Sequence, residues 1–344
     1  MRFGIAFDLK PDTPPPAGAP DDVHEEFDAP VTIHAIAAVL RELGHEVALL
    51  GDGREFLSAI LDHPPEAVFN FAEGIGTSRS REARVPAVCE MLGIPYTGSD
   101  PLALAVALDK DLTRRLAIDA GVMVAPGIVF GPPRGGYDGD FAEFAPVLAE
   151  AGLTLPVIAK PVWEGSSKGI RNRCLIERAE DLGPTVAALW AGYGQAVLVE
   201  EFITGEEVTV GVLGSDAPEV FGVMKITPKT PIEHFVYSLE VKRDYRAMVD
   251  YECPAKLPRD LFQEIEASAL TVFEALGCRD VARIDFRIRD GVPYFIEINP
   301  LPGLNPESSD LVIMANLLGY SHADLIQRII ESAAKRWESS SSRQ

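Results

Sequence analysis

Two rhythms of apolar and polar positions divide this chain. Over residues 1–105, short apolar runs alternate with helix-period stretches: RFGIAF, HEVALL and AVFNFAE read as strands, and TIHAIAAVLRELG as a helix ending at a glycine. VPAVCEMLG reads as a further helix before a short strand, IPYTG. Strand–helix alternation of this kind predicts a mostly parallel, doubly wound sheet. The stretch PLALAVALDKDLTRRLAIDAG, residues 101–121, carries one long helical period, and VMVAPGIVFG follows it. LPVIAKPVWEGSSKGI then reads as a strand, a glycine-containing turn and a second strand. QAVLVEEFITGEEVTVGVLG opens a strand-rich segment that closes with helices near 259–277 and 311–337. The fold class is α/β (α+β), with units at 1–105, 106–198 and 199–337 and a disordered, low-complexity tail, ESSSSRQ, at 338–344. No internal repeat is evident.

One stretch breaks the pattern. PDTPPPAGAPDDVHEEFDAP, between Lys10 and Val31, is rich in proline and acid and too polar to pack, so it is either a mobile surface loop or a functional lid.

Period two also places chemistry. In a strand, residues two apart share a face, so Arg283 and Asp285 of ARIDFRI point one way, as do Glu297 and Asn299 of FIEINP. The hairpin signal RDGVP between them brings all four together. Asp285, Glu297 and Asn299 then offer the hard oxygen set that magnesium prefers when it also holds nucleotide phosphates. Arg283 adds a permanent cation suited to charge on a transferring phosphoryl group. The bland alternative is an exposed polar face with one Arg–Asp pair. It fits poorly beside Ile284, Phe286, Ile296 and Ile298, because burying several acids without a cation is costly.

Two weaker signals accompany the hairpin. In AKPVWEGSSKGI a Gly-Ser-Ser turn leaves backbone N–H groups free to wrap phosphate oxygens, with Lys160 at the end of an apolar strand and Lys168 close enough to join it. Most such loops are only turns, and the spacing is neither a P-loop nor a Rossmann fingerprint. VLVEEFITGEEVTV suits a hinge that presents backbone to an adenine edge, with Glu207 on a ribose hydroxyl; two strands with a solvated acidic turn explain it equally well.

Composition narrows the picture. A chain of 344 residues that is 47% hydrophobic and 24% charged is a globular protein of two or three domains. No run approaches a membrane span, MRFGIAFDLK lacks a signal-peptide cleavage site, and Cys89, Cys174, Cys253 and Cys278 form no CxxC pair, which suits a reducing cytoplasm. A formal charge of −21 disfavours nucleic acid and anionic membrane as partners. The six histidines have no metal-type spacing; His234 alone lies near candidate chemistry.

Taken together and in order, YTGSDPLALAVALDK, LPVIAKPVWEGSSKGI, VLVEEFITGEEVTV, ARIDFRI and FIEINPLPG resemble the ATP-grasp superfamily, and more closely the D-alanine–D-alanine ligase family, over roughly residues 66–335. The resemblance implies three α/β domains with ATP between the central and C-terminal ones. It implies ATP-dependent activation of an amino-acid carboxylate as an acyl phosphate, followed by attack of a second amino acid's amine, a step of cell-wall biogenesis. By position it makes Asp285, Glu297 and Asn299 ligands of two magnesium ions, with manganese as a substitute. Lys110, Lys160 and Lys242 become phosphate contacts under the loop of Ser166 and Ser167. Glu200, Glu201, Phe202 and Ile203 line the adenine, and Glu207 takes the ribose. Arg283 and the Gly303 backbone stabilise the oxyanion, Ser166 belongs to the catalytic set, and Ser308 holds the acceptor carboxylate.

The departures fall on the amino-acid side. The family's N-terminal glycine-rich loop and its glutamate are missing, leaving Glu25 or Glu26 to meet the first substrate's amino group. NFAEGIGTSRSRE replaces a histidine–glycine motif, and Arg243 stands where a tyrosine is usual; in the family that tyrosine pairs with the glutamate and with the serine matched by Ser166. Arg243 and the arginines of TSRSREAR suggest a substrate with an extra carboxylate or a larger acceptor. The competing classes are an ATP-grasp carboxylase or phosphotransferase, and a nucleotide-binding regulator without turnover. The family dimerises through its N-terminal domain, for which RVPAVCEMLG is a candidate helix, although ordinary core explains that helix too.

Overall fold

The computed structural model describes residues 1–133 and 144–341. Strands β1 (Arg2–Phe7), β2 (Glu46–Gly51) and β3 (Ala67–Phe71) form a parallel sheet in the order β2-β1-β3. Alternate residues serve opposite faces. Phe3, Ile5 and Phe69 pack with Ile33, Ile36 and Leu40 of α1 (Pro30–Glu42). Ala6, Leu50 and Val68 pack with Phe56 and Ile60 of α2 (Gly53–Asp62) and Val85 and Cys89 of α3 (Arg84–Leu92). The sheet is doubly wound, as its rhythm predicts. IPYTG contributes only a single bridge, Tyr96 to Val68.

The long helical stretch at 101–121 is two helices, α4 (Pro101–Leu108) and α5 (Lys110–Asp119). Asp109 causes the break. One carboxylate oxygen caps α5 by accepting the Leu112 N–H at 3.1 Å, and the other accepts the Trp163 indole N–H at 3.0 Å. A tertiary contact therefore fixes where the helix stops, and it leaves Lys110 at the first turn of α5.

Strands β4 (Gly127–Phe130), β5 (Val157–Pro161), β6 (Leu175–Ile176) and β7 (Val197–Glu201) form an antiparallel sheet ordered β4-β7-β5-β6. Helices α6 (Phe144–Glu150) and α7 (Ala179–Tyr193) cover it. The strand expected at the end of GSSKGI begins later, at Leu175. Ser166, Ser167 and Gly169 have φ of 50°, 58° and 77°, which no strand accepts. Gly169 is required there, because a Cβ would lie 2.4 Å from the Pro161 ring.

The third sheet runs β10-β9-β8-β11-β12: β8 (Glu206–Gly214), β9 (Glu219–Pro228), β10 (Val249–Glu252), β11 (Asp280–Arg289) and β12 (Val292–Asn299), all antiparallel. Two short helices, α8 (Leu239–Arg243) and α9 (Tyr245–Met248), lead into β10. Helix α10 (Arg259–Ala275) buries Ile265, Val272 and Phe273 against Val210, Ile284 and Phe286. On the other face, α11 (Asp310–Leu317) and α12 (His322–Ser341) share one core with β1 and β3, through Met314, Leu325 and Ile326. Residues 338–341, expected in a disordered tail, continue α12; 342–344 lie outside the described residues. In the acidic segment after Lys10, residues 11–18 are mostly exposed, whereas 22–28 pack, with Asp22 fully buried and Glu26 6% exposed. Its carboxylates meet cations from other parts of the chain, a compensation that local polarity does not reveal.

Candidate active site

The β11–β12 register pairs Arg283 with Asn299 and Asp285 with Glu297, so the four polar residues share one face. Arg283 donates to Asp285 at 2.9 Å and lies 3.6 Å from Glu297. Thr209, opposite Asp285 on β8, donates its hydroxyl to that carboxylate at 2.5 Å. Beyond Asp285 the ladder slips, pairing Phe286 with Phe295 and leaving Ile296 extra. That bulge interrupts the alternation, and Ile296 and Glu297 line the same cavity. Burial raises the Glu297 pKa, but Lys110, Arg283, Lys242 and Lys160 outweigh it and hold the carboxyl down to about 2. Burial raises Asp285, partly offset by Arg283.

All but two of the residues assigned by resemblance to the nucleotide come together in a cavity of about 60 Å³ between the central and third sheets: Lys160, Ser167, Glu200, Phe202, Glu207 and Lys242, with Glu201 and Ile203 in its wall; Lys110 and Ser166 lie outside it. Lys160 pairs with Glu200 at 2.5 Å, Arg289 with Glu201 at 2.5 Å, and Arg287 with Glu207 at 2.7 Å. Arg287 went unnoticed in the sequence, although it organises this wall. Its guanidinium lies over the Phe202 ring at 4.6 Å and donates to the Ile203 and Phe235 carbonyls. Its place one strand-period beyond Asp285 was the available signal.

A second cavity, of about 320 Å³, lies on the other side of Glu297; Lys110, Ser166, Arg283, Asn299, Gly303 and Ser308 line it. Lys110 bonds the Glu164 carbonyl and lies 3.5 Å from Glu297. Glu25, Ser166, Arg243 and Ser308 meet in an adjoining cleft, with Tyr237 and Asp310 behind them. Tyr237 donates to Asp310 at 2.9 Å, and Arg283 reaches Asp310 at 3.5 Å; both residues escaped the sequence reading, which had no local pattern to find them by.

The structure separates the two candidate glutamates. Glu25 bonds Arg243 at 2.8 Å and lies 3.5 Å from Lys10; burial raises its pKa, and those two cations bring it below the usual carboxylate range. Glu26 turns beneath the Gly-Ser-Ser loop to Arg81 and Lys168, at 2.6 and 3.0 Å. Two of the cations expected to meet an extra substrate carboxylate, Arg81 and Arg243, are thus taken by the protein's own acids, while Arg84 bonds the Ile75 carbonyl and Arg79 is largely exposed, 4.0 Å from Asp109. Arg81 is fully buried between Glu26 and Glu164, and Arg243 also holds Asp21 at 3.1 Å. Nothing in this arrangement calls for a larger acceptor. Asp28, Glu73 and Glu82 instead add acids to the large cavity, and burial is the largest cause raising each. His234 pairs with Glu177 at 2.7 Å.

Among the described residues no group of three His, Cys, Asp or Glu could hold a metal ion, and no helix is long and apolar enough to cross a membrane. The hairpin offers two carboxylates and one amide, hard oxygens of the kind that could hold an ion together with phosphate and water oxygens.

A doubly wound N-terminal sheet, two antiparallel sheets flanking a cleft, and a hairpin of acids at that cleft define the ATP-grasp fold. The chain superimposes on the solved D-alanine–D-alanine ligase from Bacillus anthracis complexed with ATP, with a TM-score of 0.72, 20% identity and 99% of each chain covered. VanG D-Ala:D-Ser ligase from Enterococcus faecalis gives a TM-score of 0.67 at 22% identity, covering 96% of this chain and 99% of that one. In sequence, D-alanine–D-alanine ligase B of Brucella melitensis is 33% identical over 307 residues, covering 87% of this chain and 89% of the relative. The ligase of Desulforudis audaxviator is 32% identical, covering 88% and 92%. The family model described as D-ala D-ala ligase C-terminus matches residues 138–331. The chain belongs to the D-alanine–D-alanine ligase family and is an ATP-dependent ligase.

Proposed function

We propose that this ligase joins two molecules of D-alanine, activating the first carboxylate with ATP and releasing dipeptide, ADP and phosphate. The observation that carries this reading is the Arg283–Asp285–Glu297 cluster standing between the two cavities, with ATP-side residues on one flank and Glu25, Ser166 and Ser308 on the other. A carboxylate oxygen of the first substrate attacks the γ-phosphorus, ADP leaves, and an acyl phosphate forms. The neutral amine of the second attacks the carbonyl carbon, phosphate leaves with the C–O bonding pair, and the proton lost from the new amide nitrogen passes to that phosphate.

Each side chain has a part in that sequence. Lys110, Lys160 and Lys242 neutralise phosphate oxygens, while Ser166 and Ser167 close the loop over them. Glu200, Glu201, Phe202 and Ile203 hold the adenine, and Glu207 the ribose. Arg283 and the Gly303 N–H face the oxyanion of the tetrahedral intermediate. Glu25, positioned by Arg243, receives the first ammonium, and Ser308 binds the second carboxylate. Asp285, Glu297 and Asn299 would hold two magnesium ions, and their hard carboxylate and amide oxygens fit that metal. When bound, these ions supply positive charge to the transferring phosphoryl group. No nucleophilic side chain is required, because positioning and charge supply the rate.

Units at 1–105, 106–198 and 199–337, cytoplasmic location and a homodimer belong to the same proposal. The three sheets support three units but carry the second boundary past Glu201, because β7 pairs with β4 and β5 of the central sheet; Met91 of α3, 84% exposed, is where a partner copy would pack. The test is ATP turnover over a panel of D- and L-amino acids, with mass detection of the product. D-Ala–D-Ala formation with phosphate release dependent on D-alanine is expected. Phosphate release from donor alone, with no amide product, overturns the reading in favour of phosphotransfer.

A further inference from the structure

The loop between β5 and β6 is strained and is held at both ends by one acidic segment of the N-terminal unit. Ser166 and Ser167 occupy left-handed backbone, at φ of 50° and 58°, a conformation that is strained for non-glycine residues and persists only where its surroundings impose it. On one flank the Gly165 N–H donates to Glu26 Oε1 at 2.6 Å. On the other the Gly169 N–H donates to Asp22 Oδ2 at 3.0 Å. Both carboxylates are buried and over-determined. Glu26 takes Arg81 at 2.6 Å and Lys168 at 3.0 Å; Asp22 takes the Tyr193 hydroxyl at 2.8 Å and Arg171 at 3.2 Å. Arg81 also donates to the Trp163 carbonyl at 2.8 Å, and Glu164 is fixed by Lys168 at 2.5 Å and Gln195 at 2.6 Å. Arg81, Glu26, Lys168 and Glu164 make a charge-balanced buried quartet immediately behind the two serines.

We infer that Asp22 and Glu26, with Arg81 behind them, are positioning residues that latch the Gly-Ser-Ser loop closed over the nucleotide, so that the ATP site is completed only when the N-terminal acidic segment is docked. The latch is distinct from the Glu25–Arg243 pair, which faces the amino-acid cleft. Ser167 lines the nucleotide cavity and Ser166 the amino-acid one, so a loop released at Gly165 and Gly169 disorders both. Charge and geometry act together. Glu26→Gln keeps an oxygen for the Gly165 N–H but leaves Arg81 and Lys168 with one carboxylate between two cations.

The inference rests on the nucleotide site proposed above. Its test measures KM for ATP, KM for the amino acid, kcat and hydrogen exchange over residues 163–170 in the full chain, for wild type, Glu26→Gln and Asp22→Asn. Expected are an ATP KM raised about tenfold or more, faster exchange at Gly165 in one variant and at Gly169 in the other, and ATP-induced protection of the loop lost in both. Asp22→Asn leaves the quartet intact, so it decides the matter if Glu26→Gln does not fold. Folded variants with wild-type ATP KM and exchange overturn the latch and leave the ligase reading standing. Wild-type protein that neither binds nor turns over ATP overturns the nucleotide site, and the latch with it.

Discussion

On the nucleotide side, Asp285 faces Glu297 across one hairpin and Lys160 meets Glu200 across neighbouring strands, 40 residues apart in the chain. On the amino-acid side, Arg243 reaches back 218 residues to Glu25, and beneath the Gly-Ser-Ser loop that borders both cavities Lys168 reaches 142 to Glu26. The first half is positioned by ladder registers inside sheets, the second by ion pairs between parts of the chain that must dock. Ladder-set geometry survives the loss of one side chain, whereas docked geometry depends on charges that are costly to leave unpaired. The two halves should therefore respond differently to mutation.

The largest effect is expected at the hairpin. Glu297→Gln should lower kcat by about 10³-fold or more with the fold retained, checked by steady-state kinetics and circular dichroism. Near-normal turnover would remove the hairpin from the chemistry and end the comparison. Arg283→Lys keeps a charge but loses the fork that spans Asp285, Glu297 and Asp310; a loss of about 10²-fold in kcat with ATP KM little changed is expected. A rise in ATP KM alone would move Arg283 from the transition state to ground-state binding.

On the other half, Arg243→Ala should raise the amino-acid KM about tenfold while ATP KM stays within about twofold. Equal changes in both constants would mean the halves are one mechanical unit. The smallest effect concerns pH. Burial lifts Asp28 from 3.8 to about 7, against a bond from Thr32 that lowers it. Between those values the folded protein holds a proton that the unfolded chain has released, so stability falls as pH rises through that window. Asp28→Asn should raise Tm by about 3 °C at pH 8 and leave it unchanged at pH 4, as read by calorimetry. An equal shift at both pH values would tie the effect to packing.

The halves also differ in how far they could be read from the residues alone. The hairpin was legible because period two is a backbone property: Arg283, Asp285, Glu297 and Asn299 share a face wherever the strands end up. The bulge at Ile296 was not, because pairing slips by one residue without any glycine or proline to mark it. The break at Asp109 and the long left-handed loop depend on Trp163, Glu26 and Asp22, which lie far off in sequence. Arg81 was noticed only as one of several arginines, and its buried partners reversed the reading of it as a substrate contact.

By itself the sequence determined the alternation of elements, the doubly wound first sheet and the acids of the hairpin, since each follows from side-chain periodicity over a few residues. Only the tertiary structure decided which cations face the substrate and which are tied to internal carboxylates. An ion pair is set by proximity in space, and a chain with 52 acidic and 31 basic residues has too many candidate pairs for spacing to choose among.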